Sequence, residues 1–317
     1  MNILVFGKDG QLGRAFRSLF NSLSVPKVVN IQYVGRAECD VSDSKELEVL
    51  LINNKPNFII NASAYTAVDK AESEADLAYA INAKVPEIMA RYAVLHGATL
   101  LHYSTDCVFD GSKDGFYVEG DTRNPLGVYG KSKAAGEEAV ERVFADTPNG
   151  QFAIFRTSWV YGNGGNFIRT ILRLAKEREE LKIIHDQLGV PTSADWLAKV
   201  SLDLTLDSAF HIQSFISGIY HAVPAGEATW YGLASLVARV ASDDGIELKV
   251  KPECIRPILA VEYPLPASRP MNSRMDHSKL RKAIGRRGDM SKLDSFNGLW
   301  SIAVEDYVKA LTKNELI

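Results

Sequence analysis

Six residues from its start the chain reads Gly7-Lys8-Asp9-Gly10-Gln11-Leu12-Gly13, between the apolar run Ile3 to Phe6 and an apolar-periodic stretch from Gln11 to Phe20. No other feature narrows the fold as much. A glycine triad between strand and helix lets the backbone turn tightly and come close to a pyrophosphate, whose charge the free N–H groups and the positive helix end attract. The plainer alternative is a strand-to-helix turn with incidental glycines. Placement favours a dinucleotide cradle built on Gly7, Gly10 and Gly13.

The rest of the first half supports that frame. Short apolar runs at Ile31 to Val34, Phe58 to Ile60, Thr99 to Ser104 and Phe152 to Thr157 suit strands buried on both faces. Between them lie helical patterns near Ser44 to Asn53, Glu74 to His96 and Tyr129 to Phe144. The alternation predicts an α/β fold, a Rossmann-type doubly wound parallel sheet with its ligand site at the carboxyl ends of the strands.

Past Gly162 the rhythm changes, with helical patterns at Phe167 to Glu179, Ala194 to Leu206 and Tyr231 to Ala241 and a lone strand at Gly218 to Val223. With 317 residues there is chain enough for two coupled domains. We expect residues 1–165 to bind NAD(P), with a return near 194–223, and residues 166–317 to form mainly a smaller, discontinuous substrate domain. Five prolines between Pro252 and Pro270 predict an ordered irregular segment there rather than a sheet interior.

Composition excludes several classes. Lys plus Arg is 36 against Asp plus Glu 39, a net charge of -3, so no global field draws the chain to nucleic acid or to an anionic membrane. No apolar run reaches the roughly 18 residues of a spanning helix, and the first residues lack a basic leader, so a cytoplasmic location is expected. Cys39, Cys107 and Cys254 are scattered without CxxC spacing, which argues against disulfides or a zinc site.

The kind of dinucleotide depends on the tip of the second strand. There the chain reads Val34-Gly35-Arg36, with no carboxylate at the tip to hold a ribose 2′-hydroxyl. A guanidinium suits a 2′-phosphate, so NADPH is favoured and NADH is the alternative. If Arg36 is only a solvated cation, Asp40 and Val41 can meet the adenosine instead.

Downstream, Tyr129 and Lys133 stand four apart, on one helix face. A ketone that receives hydride needs a proton at oxygen, and a phenol gives one well only when a nearby cation stabilises its phenolate. Thr105, at the end of the run Thr99 to Ser104, adds a hydroxyl that can polarise the carbonyl. By residue type alone His102 reads as a hydrogen-bonding strand-end residue, and Asp69 to Glu72 as a plain helix start or a substrate contact.

At these residues the chain resembles the extended short-chain dehydrogenase/reductase superfamily and, within it, the dTDP-4-dehydrorhamnose reductase family. The resemblance spans nearly the whole chain. Its further marks are Asn61-Ala62-Ser63-Ala64-Tyr65 through Glu72, His102 through Asp106, Arg156 through Tyr161, Asp186 through Thr192 and Arg269 through Ser273. It implies NAD(P)H-dependent reduction of the C4 ketone of dTDP-4-dehydro-β-L-rhamnose to dTDP-β-L-rhamnose. It further implies Tyr129 as proton donor, Lys133 as its charge partner and ribose ligand, and Thr105 as the third catalytic group. Asp106 and Trp159 would line the sugar pocket; Gly10, Gln11 and Leu12 would meet the cofactor's pyrophosphate, Asp40 and Val41 its adenosine half, and Ala62, Ser63 and Ala64 its middle.

Departures bear on the rest. Where some members of the family carry a metal-bridging carboxylate this chain has Ala15, so no metal is expected, and monomer or homodimer stays open. Cys107 and Ser63 replace the Tyr and Ala common in the family. Two other readings compete. One is a noncatalytic subunit similar to the regulatory partner of methionine adenosyltransferase; the other is a nucleotide-sugar epimerase or dehydratase of the same superfamily.

Overall fold

The short apolar runs assemble into one parallel sheet. The computed structural model describes residues 1–286 and 290–314. Strands β1 (Asn2–Phe6), β2 (Asn30–Val34), β3 (Phe58–Asn61), β4 (Thr99–Thr105), β5 (Gln151–Thr157) and β7 (Gly218–His221) pair in the order β7-β5-β4-β3-β1-β2. All seven residues of β4 are buried, as the centre of a sheet covered on both faces requires.

Helices cover the two faces. On one, α1 (Gln11–Ser22) and α6 (Ala194–Thr205) share a core in which Phe16 and Phe20 meet Leu197 and Val200. On the other, α2 (Ser44–Asn54), α3 (Val85–His96) and α4 (Val128–Phe144) pack through Leu47, Ile88, Met89 and Val140. A third core joins α5 (Phe167–Glu177), α7 (Trp230–Asp243) and α9 (Trp300–Lys313) through Ile171, Leu233, Val237 and Val304. A helix α8 (Ser278–Gly285) adds Leu280 and Ile284 to the core shared by α1 and α6. The chain reverses direction across the sheet between β1 and β3, and there the carboxyl ends open a crevice.

The structure refines two expectations. The helix expected from Glu74 to His96 is present from Ala75 onward, but not as one regular α-helix: an α-helical turn at Ala75–Tyr79 passes through a π-helical turn at Ala80–Lys84 into α3. Buried Asn82 explains the break. Its side chain bonds both the N–H and the carbonyl of Tyr65, at 2.9 and 3.1 Å, and donates to Ser132 Oγ on α4 at 3.0 Å. Pro86, four residues on, has no N–H to continue an α-helical ladder.

The proline-rich segment also carries a strand. β8 (Ile255–Ile258) pairs in parallel with β6 (Leu181–Ile184), placing Pro257 opposite Ile183. A two-stranded pair has only edges, where proline is tolerated. Among the described residues no helix is long and apolar enough to cross a membrane.

Candidate active site

The glycine turn sits at the crevice between β1 and β3. Gly7 has φ +79°, a region that glycine enters without strain, and a Cβ there would lie 2.5 Å from the Ala62 carbonyl oxygen. A Cβ on Gly13 would overlap the Gly7 carbonyl. The first turn of α1 holds no carboxylate and its start has no side-chain cap, so its N–H groups remain available to an anion. This cradle fits a dinucleotide pyrophosphate. Leu12 packs against the core beneath it, while Gln11 reaches across to the Val160 carbonyl at 3.4 Å and accepts from Asn166.

Exposed Arg36 follows the tip of β2, close enough to Asp40 to help hold that carboxyl below its usual range, behind the larger effect of bonds from Ser42. The expectation that no carboxylate reaches this tip is wrong. Glu38 folds back to accept from the Gly35 N–H at 2.8 Å and pairs with Lys8 at 2.5 Å. A Cβ on Gly35 would also lie 2.5 Å from Asp9 Oδ2. Lys8 and Glu38 partly offset one another and leave Arg36 as the cation presented to solvent. Val41 packs beneath the tip against the α2 and α3 core.

The second floor of the site is built by β3 and β4. Ala62, Ser63 and Ala64 leave β3 beside Gly7, half-buried. Thr105 ends β4, where its hydroxyl donates to Asp106 Oδ1 at 2.8 Å and accepts from the Cys107 N–H at 3.1 Å. Tyr129, in the first turn of α4, lines the same cavity as Thr105. Gly130 lets α4 come this close, because a Cβ there would overlap the Cys107 carbonyl.

Burial dominates the electrostatics. It raises the phenol of Tyr129 above its ordinary value, and it raises Asp106, whose carboxylate is eased by bonds from Ser273 and Thr105. Burial pushes Lys133 down to about 8, with Glu137 pulling the other way. The ammonium expected to acidify the phenol does not act on it in this arrangement. Lys133 Nζ turns instead to the Tyr103 carbonyl at 2.5 Å and lies 3.4 Å from His102 Nε2.

A cavity of about 890 Å³ opens beside Tyr129, walled by Thr105, Asp106, Trp159, Trp230 and Arg269. Trp159 holds φ +47°, a strained value for a bulky residue, and its indole stacks on Trp230 with centroids 3.6 Å apart and planes 16° off parallel. Gly189 makes room for it, since a Cβ there would strike the indole at 2.5 Å. Asp69 serves the wall indirectly, pairing with Arg269 at 3.0 Å and accepting from the Ala267 N–H. Asp186 accepts from the Ala260 N–H at 2.9 Å.

Trp230, Ser273 and Arg269 were not singled out as site residues from the sequence. They reach the cavity from segments far along the chain. Only the Arg269 to Ser273 run carried a signal, as a family mark. Among the described residues no group of three or more His, Cys, Asp or Glu side chains is gathered to hold a metal.

Comparison with known proteins shows the family. Residues 1–292 match the family model described as RmlD substrate binding domain. The dTDP-4-dehydrorhamnose reductase of Escherichia coli (strain K12) is 42% identical over 287 residues, which cover 89% of this chain and 91% of that protein. A crystal structure of a dTDP-4-dehydrorhamnose reductase from Clostridium acetobutylicum superposes with a TM-score of 0.80 at 32% identity, covering 98% of this chain and 99% of that one. The Bacillus anthracis dTDP-4-dehydrorhamnose reductase, solved in complex with NADP, gives 0.78 at 30% identity, covering 96% and 97%. With its family model matched across nine-tenths of its length, the chain belongs to the RmlD substrate-binding-domain family, among the dTDP-4-dehydrorhamnose reductases.

Proposed function

We propose that this protein reduces the C4 ketone of dTDP-4-dehydro-β-L-rhamnose to give dTDP-β-L-rhamnose, with NADPH preferred as reductant and NADH as the alternative. One observation carries the reading. Tyr129 and Thr105 stand together in the wall of one cavity large enough for a nucleotide sugar, at the strand ends beside an anion cradle.

When bound in the glycine turn, the reduced nicotinamide supplies hydride to the ketone carbon. Gly7, Gly10, Gln11, Leu12 and Gly13 would hold its pyrophosphate, Ala62, Ser63 and Ala64 its middle, and Arg36, Asp40 and Val41 its adenosine half. Tyr129, kept un-ionised by burial, gives its proton to the C4 oxygen. Thr105 polarises that oxygen. Lys133, one turn along α4, is the cation that can turn to the phenolate left behind. Trp159 with Trp230 offers a flat wall for the sugar, and Asp106 can receive a sugar hydroxyl. Residues 1–165 with the return at 194–223 carry the cofactor in this reading, and the remainder of 166–317 the substrate.

The test is consumption of NADPH with dTDP-4-dehydrorhamnose, followed by loss of reduced-nicotinamide absorbance. Stoichiometric oxidation supports the reductase. Catalytic turnover without net oxidation would point to an epimerase or dehydratase, and no turnover on any dTDP-sugar to a binding subunit.

A further inference from the structure

Behind Lys133 lies a chain of buried polar groups with no part in the reading above. Asn61 ends β3 and His102 stands opposite it in register on β4; both are fully buried. Asn61 Oδ1 accepts from the Ser63 backbone N–H at 3.3 Å and from Ser63 Oγ at 2.6 Å. A backbone N–H can only donate, so the carbonyl end of the Asn61 amide must face Ser63. Its NH₂ end then faces His102 Nδ1, 3.1 Å away. An amide NH₂ can only donate as well, so Nδ1 is the acceptor and the imidazole proton lies on Nε2. That proton points at Lys133 Nζ, 3.4 Å off.

An ammonium has donors only, so it cannot bond an Nε2–H; a neutral amine can accept from it. We propose that Asn61 and His102 form a positioning relay, in which Ser63 fixes the amide, the amide fixes the imidazole tautomer, and the tautomer disfavours the charged form of Lys133 at its inner position beside Tyr103. On gaining a proton, Lys133 is thereby driven outward along α4 toward Tyr129. The relay rests on the reductase reading for its purpose and on geometry alone for its existence.

Other charges around Lys133 do not produce this bias. Glu137, on the same helix, favours the ammonium, but Arg156 from β5 and Arg123 already hold its carboxylate. Tyr129 and Asp106 lie toward the cavity. His102 itself stays neutral, held well below its ordinary value by burial and by Lys133. Burial pushes Lys133 in the direction the relay requires, to about 8.

Asn61→Asp tests the relay with almost no change in shape. A carboxylate would still accept from Ser63, but it would demand a proton on Nδ1, leaving Nε2 as an acceptor for the ammonium. Two readouts apply. Long-range ¹H–¹⁵N spectra of the six histidines should show His102 as the Nε2–H tautomer in the native protein and as Nδ1–H in Asn61→Asp. In the pH profile of kcat/KM, the limb belonging to Lys133 should move up by at least one unit in the variant, a tenfold change in proton affinity. An Nδ1–H tautomer in the native protein, or an unmoved limb in a variant whose tautomer has switched, would overturn the relay. The native tautomer needs no substrate and no variant. An Nε2–H imidazole in a protein that fails to turn over the sugar would therefore sink the reductase reading and still uphold the relay's geometry.

Discussion

Arg156 grips Glu137 through two parallel bonds, Nε to Oε1 at 2.9 Å and Nη2 to Oε2 at 2.7 Å, and neither side chain is more than 1% exposed. The pair ties β5 to the middle of α4, the helix that presents Tyr129 and Lys133. Removing one partner leaves a buried charge alone, at a cost of about 3–5 kcal/mol. Glu137→Gln should therefore lower the thermal midpoint sharply, whereas breaking the exposed Arg173–Glu177 pair should barely move it. Burial alone would raise the Glu137 carboxyl, and bonds from Arg156 with the charges of Arg156 and Arg123 more than offset that, leaving it lowered. Its contribution is thus present above the ordinary carboxylate range and lost as pH falls through the lowered value. Acid melts of the native protein and Glu137→Gln should converge at low pH; curves that stay parallel would refute the assignment.

Tyr129→Phe removes the proposed proton donor and keeps the ring. Hydride transfer then has no acid, and kcat should fall by about 10²–10⁴. NADPH binding, followed by nicotinamide fluorescence, should change little, because the ring still packs beside Thr105. A variant with native kcat would end the case for the phenol.

How far this arrangement was legible in the sequence depends on the range of the interaction that sets each part. Runs such as Phe58 to Ile60 and Thr99 to Ser104 become strands because doubly buried strands are apolar throughout. The Tyr129–Lys133 pairing on one face follows from helical spacing. Interactions across the fold leave no such local mark. Asn82 reshapes the helix before α3 because its partners, Tyr65 and Ser132, lie 17 and 50 residues away. Lys8, on the glycine turn 30 residues upstream, pairs with Glu38 where that side chain folds back on the tip of β2. The stacking of Trp230 on Trp159 needs a whole second lobe to bring it about. Spacing put Lys133 under Tyr129, but the direction of its amine is decided by Tyr103 and His102, which no helical wheel includes.

The glycine turn makes a graded prediction. A Cβ on Gly13 overlaps the Gly7 carbonyl, while one on Gly10 comes only to 3.3 Å of the same oxygen. Gly13→Ala should force the turn apart and weaken NADPH binding by tenfold or more, while Gly10→Ala, with a few tenths of an ångström to yield, should lose much less. Titration of each variant with NADPH checks the order. Equal losses would mean that ligand clearance, rather than the fit of turn to helix, governs both positions.

Arg36 should govern the choice between the two reduced cofactors. It is the exposed cation at the β2 tip, while Lys8 beside it is neutralised by Glu38. A hydrogen bond to a charged group contributes about 1.5–3 kcal/mol, and exposure puts this one at the low end. Arg36→Ala should raise KM for NADPH by roughly tenfold and leave KM for NADH nearly unchanged, since only the first carries the 2′-phosphate. Raising salt should narrow the difference between the native protein and the variant, because the contact is screened. If both KM values rise together, Arg36 serves the adenine or the loop rather than the phosphate, and the preference for NADPH must come from another donor at the β2 tip.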